Sequence, residues 1–551
     1  MRVIGLEISS GMADLAVVPV FVNAGAALMP AIIAGLMAVV SVLLNPKKLI
    51  KLFREKPHVP VGVILVCVAL YFGFSLIGGH APEDDHSRAQ ITGVSSSTTP
   101  EQWVELAKKI LEVEAREQAQ SVNSVSVPKQ GTVSSPASTG RSEMIYRGNA
   151  LRNGHVGDQS PTQLKLAWAH TEEDCMFWSS PLVTADRVYG AWCYLDPPQS
   201  YGAVVCLDRA SGKQLWQIEL KPDGKELKGF FSSPALTADG RYLLIGQGLH
   251  PDYDSDLVCI DTQSKKVKWV YSTPLHIESS PAISGDIVVA GVGAVEDTAT
   301  HTPRKHKDPV KNENPGMVIA LKISTGELLW KTVVADPESS PAIEGDRVYI
   351  GSGFNGSAIV ALDLNSGKQQ WKTSTPYPAT GAVTLTPDAL LIGCGNGDYI
   401  FQAKTPGGVV MACDKENGKV LWTQDMGDAV LGAIAVKDNV AIAPVRDGRI
   451  VALDLAAGSP DKRELWSRQI KKNSRALAGP AFTGSHIYAI THDGYMFILN
   501  AGNGEEIEKH FVNTQPGEMN MCLASPMVVD GSVFVASETG GIRRYDAGGS
   551  K

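Results

Sequence analysis

Ser339-Ser340-Pro341-Ala342-Ile343, Arg347-Val348-Tyr349-Ile350-Gly351, Ile359-Val360-Ala361-Leu362-Asp363, Gly367-Lys368 and Trp371 make up one phrase of this 551-residue chain. Two small residues and a proline lead into an apolar run. A second and a third run follow, then a Gly-Lys turn and a tryptophan. The phrase starts again at Ser180-Pro181, Ser233-Pro234, Ser280-Pro281, Gly381-Ala382, Gly432-Ala433, Gly479-Pro480 and Ser525-Pro526, which with Ser340-Pro341 makes eight copies. Four short strands recurring every 40 to 50 residues or so are the signature of a propeller blade. The expected fold is therefore all-β: an eight-bladed β-propeller of four-stranded blades.

The irregular copies predict how the ring closes. Trp216, Trp269, Trp330, Trp371, Trp422 and Trp466 end the first six copies, but the seventh runs from Asn503-Gly504 into Ile507-Glu508. The eighth stops at Tyr545-Asp546-Ala547-Gly548, before its fourth strand. Gln163 to Trp168 reads as a fourth strand with no blade of its own, and is expected to complete the last blade and remove its exposed edge. The repeated Asp and Trp are read as scaffold. An Asp after the third strand accepts bonds from the turn that follows, and a Trp packs between blades while its N–H finds a partner.

Two apolar runs precede the repeats, Val17–Leu44 and Val61–Gly78, each long enough to cross a hydrocarbon core of about 30 Å. Lys47, Lys48, Lys51, Arg54 and Lys56 lie between them, and Glu83, Asp84 and Asp85 follow. The positive-inside rule places the basic loop in the cytoplasm and both termini across the membrane. The first run is too long for a cleaved signal peptide, and Cys67 lacks the small residues expected before a lipidated cysteine. The expected organisation is a two-helix transmembrane hairpin within residues 1–80, a helical segment and flexible linker over 81–145, and the propeller over 146–551. Such a chain is a two-pass inner-membrane protein with its propeller in the periplasm. Trp103, Leu106, Ala107, Ile110 and Leu111 fall at helical spacing, and the Ser-, Val- and Pro-rich stretch 121–142 suits a linker.

A formal charge of −8 argues against a nucleic-acid partner. The eight cysteines show no metal-binding spacing. Cys206, Cys259 and Cys413 fall on third strands and are expected to be buried thiols, whereas Cys175, Cys193, Cys394 and Cys522 are candidates for a disulfide outside the cytoplasm.

The long insertions all separate second from third strands: Cys193–Gly202, Gly248–Asp256, Ala294–Gly316 and Gly395–Gly408. They therefore share one face, while the other carries only tight turns. Binding residues concentrate on loops of a rigid scaffold. The residue before each blade start is expected to ring the channel mouth on that face. Trp178, Phe231, Glu278 and Glu338 make one half aromatic and acidic; Ala379, Leu431, Leu477 and Leu523 make the other small or aliphatic. His276 stands two residues from Glu278, and His250, Asp252, Asp254 and Asp256 occupy a neighbouring insertion. Such a gathering suits a divalent cation or a basic peptide, and equally a solvated rim. Arg304-Lys305-His306-Lys307 reads as a basic loop tip, able to pair with an acidic partner.

Ala361-Leu362-Asp363-Leu364-Asn365-Ser366-Gly367-Lys368-Gln369-Gln370-Trp371 resembles the repeat of pyrroloquinoline quinone (PQQ)-like propellers. Tyr146-Arg147-Gly148-Asn149-Ala150-Leu151-Arg152-Asn153-Gly154 resembles the segment that often precedes their first blade. The resemblance implies either a quinoprotein dehydrogenase holding PQQ and calcium in the channel, or a cofactor-free propeller like the outer-membrane assembly lipoprotein, which binds proteins. The dehydrogenases carry a vicinal cysteine pair absent here, and Asp252 and Asp254 match their aspartate base only by location. The sequence thus points to a membrane-anchored, non-catalytic propeller without a cofactor. It would bind a protein or envelope component through Trp178, Phe231, His250, His276, Glu278 and Glu338. A PQQ- or metal-dependent oxidoreductase is the alternative. An accessory subunit is another, since Pro19, Asn23 and Pro30 are unusual for a plain anchor.

Overall fold

The third strand of the quoted repeat, Ala358–Asp363, is buried from Ala358 to Leu362, because neighbouring blades cover both of its faces. Its continuous apolar composition follows from that position. The outermost strand, Gln369–Ser374, alternates between exposed polar residues and the buried Trp371. Its outer edge and polar face meet solvent. Each fully buried Val, Ile or Leu of this kind contributes about 1.5–3 kcal/mol.

A computed structural model describes residues 144–548, except 197–198, 250–251, 294–295, 298–301, 304–315, 401 and 515–520. The expected membrane spans, the helical stripe, the linker, Cys67, His250 and the Arg304–Lys307 tip all lie outside the described residues. Among those described, eight four-stranded antiparallel sheets stand around a common axis, with their first strands innermost. Leu164–His170 pairs antiparallel with Gly541–Ala547 as the outermost strand of the eighth blade, closing the ring as its sequence predicts.

The repeated letters join blade to blade. The Trp168, Trp330, Trp371 and Trp466 indoles donate to the Arg209, Leu364, Lys415 and Ala501 carbonyls of the following blade. Gly367, at φ +69°, lies flat beneath Trp330; a Cβ there would come within 2.5 Å of the ring. Asp363 accepts from the Ser366 N–H and hydroxyl, holding the turn that presents this glycine. Nearer the axis, the Ser180, Ser233 and Ser280 amides donate to the Ser233, Ser280 and Ser340 hydroxyls of the next blade. Ser525 N–H closes the circle onto Ser180.

The seventh blade lacks its tryptophan for a structural reason. A tryptophan there would dock on the turn before the eighth blade's fourth strand, but the chain is interrupted at that point. Glu508 takes the position and accepts from the free Gln163 and Leu164 amides at 2.5 and 2.8 Å, capping the closing strand.

The described cysteines are free thiols, so the disulfide candidates Cys175, Cys193, Cys394 and Cys522 are unpaired. Cys394 and Cys522 belong to separate apolar cores, and burial pushes both thiols up to about 12. Cys206, Cys259 and Cys413 are buried within third strands, as expected.

Candidate functional site at the channel mouth

Tyr146 to Gly154, which by composition reads only as a loop, threads across the channel and closes it from the tight-turn side. Its carbonyls at Leu151, Asn153 and Gly154 accept from Leu385, Val436 and Phe482, satisfying amides on the inner edges of three first strands. The Arg152 guanidinium donates to the Ser280 and Pro281 carbonyls at 3.0 and 2.9 Å, and Arg147 does the same to Gly479 and Pro480. Burial lowers both guanidinium pKa values, Arg152 to about 9 and Arg147 to about 10, so both stay cationic at neutral pH.

Above this plug a cavity opens toward the loop-rich face, with Tyr146 as its floor. Trp178, Phe231, Glu278 and Glu338 line one side, and Leu431, Leu477 and Leu523 line the other, as the copy-to-copy differences predict. At the fifth position the expectation is corrected. Ala379 turns into the blade core, and Thr380 faces the cavity instead.

The aromatic side is continuous. Trp178 and Phe231 lie 6.4 Å apart at 60°, and Phe231 and Tyr399 lie 5.6 Å apart at 58°. Tyr399 comes from the Gly395–Gly408 insertion and was not singled out by the repeat register, because insertions have no register. Arg475 donates to its carbonyl at 2.6 Å and Arg446 donates to that of Asp398 at 2.7 Å, pinning the loop over the mouth. Burial, with Glu278 and Glu338 nearby, pushes the Tyr399 phenol far above its ordinary value, so it remains a neutral hydrogen-bonding group. Trp178 packs on Cys193, Leu249 and Met176. Glu538 sits against its indole and accepts from the Met521 amide; burial raises this carboxyl to about 7.

His276 is fully buried, and its Nε2 lies 2.9 Å from Glu338 Oε1. Glu278 joins them, so that one donor atom from each of the three lies within 4.8 Å of the others. The acidic residues of the second-blade insertion do not join this group. Asp252 is buried and accepts from the Ser200 hydroxyl and the Leu249 amide, both at 2.7 Å. Asp256 is consumed by Lys221, Gln247 and Ser272. Asp254 is exposed at φ +53°. Asp252 is thus a loop-fastening residue, since its Oδ2 ties its own insertion to the first-blade hairpin.

The quinone implied by the resemblance would be a polyanion in this lining. The described cavity residues offer two carboxylates and no cationic side chain, and the Ser180, Ser233, Ser280 and Ser340 hydroxyls already accept from amides of the preceding blade. No described lining residue offers a quinone carboxylate a direct cationic partner.

Known proteins share this architecture. A tetrathionate hydrolase from Acidithiobacillus ferrooxidans is 22% identical over 59% of this chain, and the match spans 65% of the hydrolase, less than two thirds of its length. An outer membrane protein assembly factor BamB from Burkholderia pseudomallei is 23% identical over 66% of this chain and 82% of its own. Among solved structures, BamB from Moraxella catarrhalis superposes with a TM-score of 0.50 at 16% identity, covering 70% of this chain and 99% of that one. A europium-containing methanol dehydrogenase gives 0.53 at 13% identity, covering 73% and 97%. At these identities the structures share the fold alone. Residues 200–383 and 355–551 match the profile of a PQQ-repeat family described as outer membrane protein assembly factor BamB, and the chain belongs to that family.

Proposed function

We propose that this protein is a membrane-anchored propeller that binds a protein partner of the cell envelope through its loop-rich face. The observation that carries the reading is the one-sided build of the mouth: a contiguous Trp178–Phe231–Tyr399 surface beside Glu278 and Glu338, facing a wall of Leu431, Leu477 and Leu523. Aromatic anchors in a partly desolvated setting are what protein interfaces use as hot spots. The Burkholderia pseudomallei relative is named as an outer membrane protein assembly factor, which supports a scaffold role. The apolar runs 17–44 and 61–78, with the basic loop between them, support an inner-membrane anchor over residues 1–80, a tether over 81–145 and a periplasmic propeller over 146–551.

The names of the dehydrogenase neighbours favour one other reading, a quinone-dependent oxidoreductase. No cationic side chain among the described lining residues supports it. Full-length protein supplied with PQQ and calcium is expected to show no stoichiometric quinone absorption, and a stoichiometric quinone would favour the enzyme. The partner reading is tested by quantitative co-purification from membranes. A Phe231→Ser/Glu278→Ala/Glu338→Ala variant is expected to lose at least tenfold of a discrete partner, while Asn365→Lys on the tight-turn face keeps it. Equal recovery by the mouth variant would move the binding surface elsewhere.

A further inference from the structure

We infer that His276, Glu278 and Glu338 form a binding site for one first-row divalent cation of the zinc or manganese class, set in the wall of the channel mouth. Zinc binds imidazole nitrogen and carboxylate oxygen at about 2.0–2.2 Å, so two donors sharing an ion stand about 3–4 Å apart. The 2.9 Å separation of His276 Nε2 and Glu338 Oε1 is already close to such an edge. The third donor lies within 4.8 Å of both, and Glu278 closes the remainder by side-chain rotation. Among the described residues this is the one place where three such side chains come together.

The imidazole is held rather than free to swing. It is fully buried, the His276 backbone carbonyl accepts from the Gly293 amide at 3.1 Å, and Gly293 leaves the room the ring occupies. A Cβ on Gly293 would come within 2.5 Å of Nε2 and 3.0 Å of Glu338 Cγ. The histidine therefore presents one nitrogen in a fixed direction toward two carboxylates that border the open cavity. Water or a donor from another molecule completes the coordination from that side. Imidazole in the donor set selects against calcium and magnesium, which take oxygen donors, and suits zinc and cobalt, while the two carboxylates also admit manganese. Two carboxylates match the charge of a dication.

The site does not depend on what partner covers the mouth. Purified, chelator-stripped protein titrated with Zn²⁺ or Co²⁺ is expected to bind one equivalent that Glu338→Gln and Glu278→Gln each weaken at least tenfold. His276→Ala removes it, with folding checked by circular dichroism. The Co²⁺ form is expected to show visible absorption of an ion with nitrogen and oxygen ligands, lost in the same variants. The glutamine variants keep the shape of the site, so they remain informative if His276→Ala fails to fold. No binding by the stripped wild-type protein, or one equivalent bound equally by wild type and both glutamine variants, would overturn the proposal. Co-purification is a separate readout, so partner binding and metal binding can fail independently.

Discussion

Glu538 holds its proton because the folded protein buries the carboxyl behind Trp178, raising its pKa from 4.5 to about 7. The folded state thus binds the proton more tightly than the unfolded chain. The resulting stability is fully present below pH 4.5 and is lost as pH rises to about 7. A shift of this size corresponds to about 3 kcal/mol at most, since the side chain is partly exposed. Urea unfolding of wild type and Glu538→Gln is expected to show a stability difference that grows against the wild type between pH 4.5 and 7.5. A difference independent of pH would contradict this placement of the charge. His492 acts in the opposite sense. Burial lowers it to about 4, so its contribution is present above pH 6.5 and is lost as pH falls toward 4. Neither residue stands out in the sequence. Glu538 follows the eighth blade's second strand, at a position with no repeat signature, and its environment is assembled from Met521, just ahead of the eighth blade, and Trp178, far upstream in the chain.

At the scale of elements, the closing strand and the channel plug show why one was legible and the other was not. Leu164–His170 carries the fourth-strand pattern and its Trp168, so a blade missing one strand named its partner before the pairing was seen. Tyr146–Gly154 has no periodicity. Its meaning lies in contacts with carbonyls, amides and the Ser525 hydroxyl of five blades, from Ser280 to Ser525, that no local pattern encodes. Glu508 was legible only as a lost tryptophan, because its role depends on amides that the chain break leaves free. Glu508→Ala strips those amides of their acceptor and is expected to cost about 1–3 kcal/mol in urea unfolding. Deleting residues 161–170 exposes the edge of Gly541–Ala547 and is expected to give aggregating protein by light scattering. A soluble, cooperatively folding deletion would show that the ring does not need this strand.

For the described propeller as a whole, the ring is held by contacts that repeat, and its mouth is made by residues that do not. Ser-Ser-Pro starts, turn aspartates, glycines and tryptophans fasten one blade to the next, so they say little about a ligand. Trp178, Phe231, Glu278 and Glu338 stood out because sister blades differ there, and the fold gathers them on one cavity. The acidic residues of the second-blade insertion misled because sequence proximity to His276 carries no information about hydrogen bonding. Asp252 and Asp256 are spent on the hairpins themselves. The most direct measurement of a loop-face partner is site-specific photo-crosslinking in intact cells. One probe replaces the exposed Asp254 on the loop-rich face, and the other replaces the exposed Asn365 on the tight-turn face. A discrete protein adduct from position 254, absent from 365 and lost when Phe231→Ser is added, is the expected result. An adduct from 365 alone, or one from 254 that Phe231→Ser leaves unchanged, would contradict a partner seated on the channel mouth.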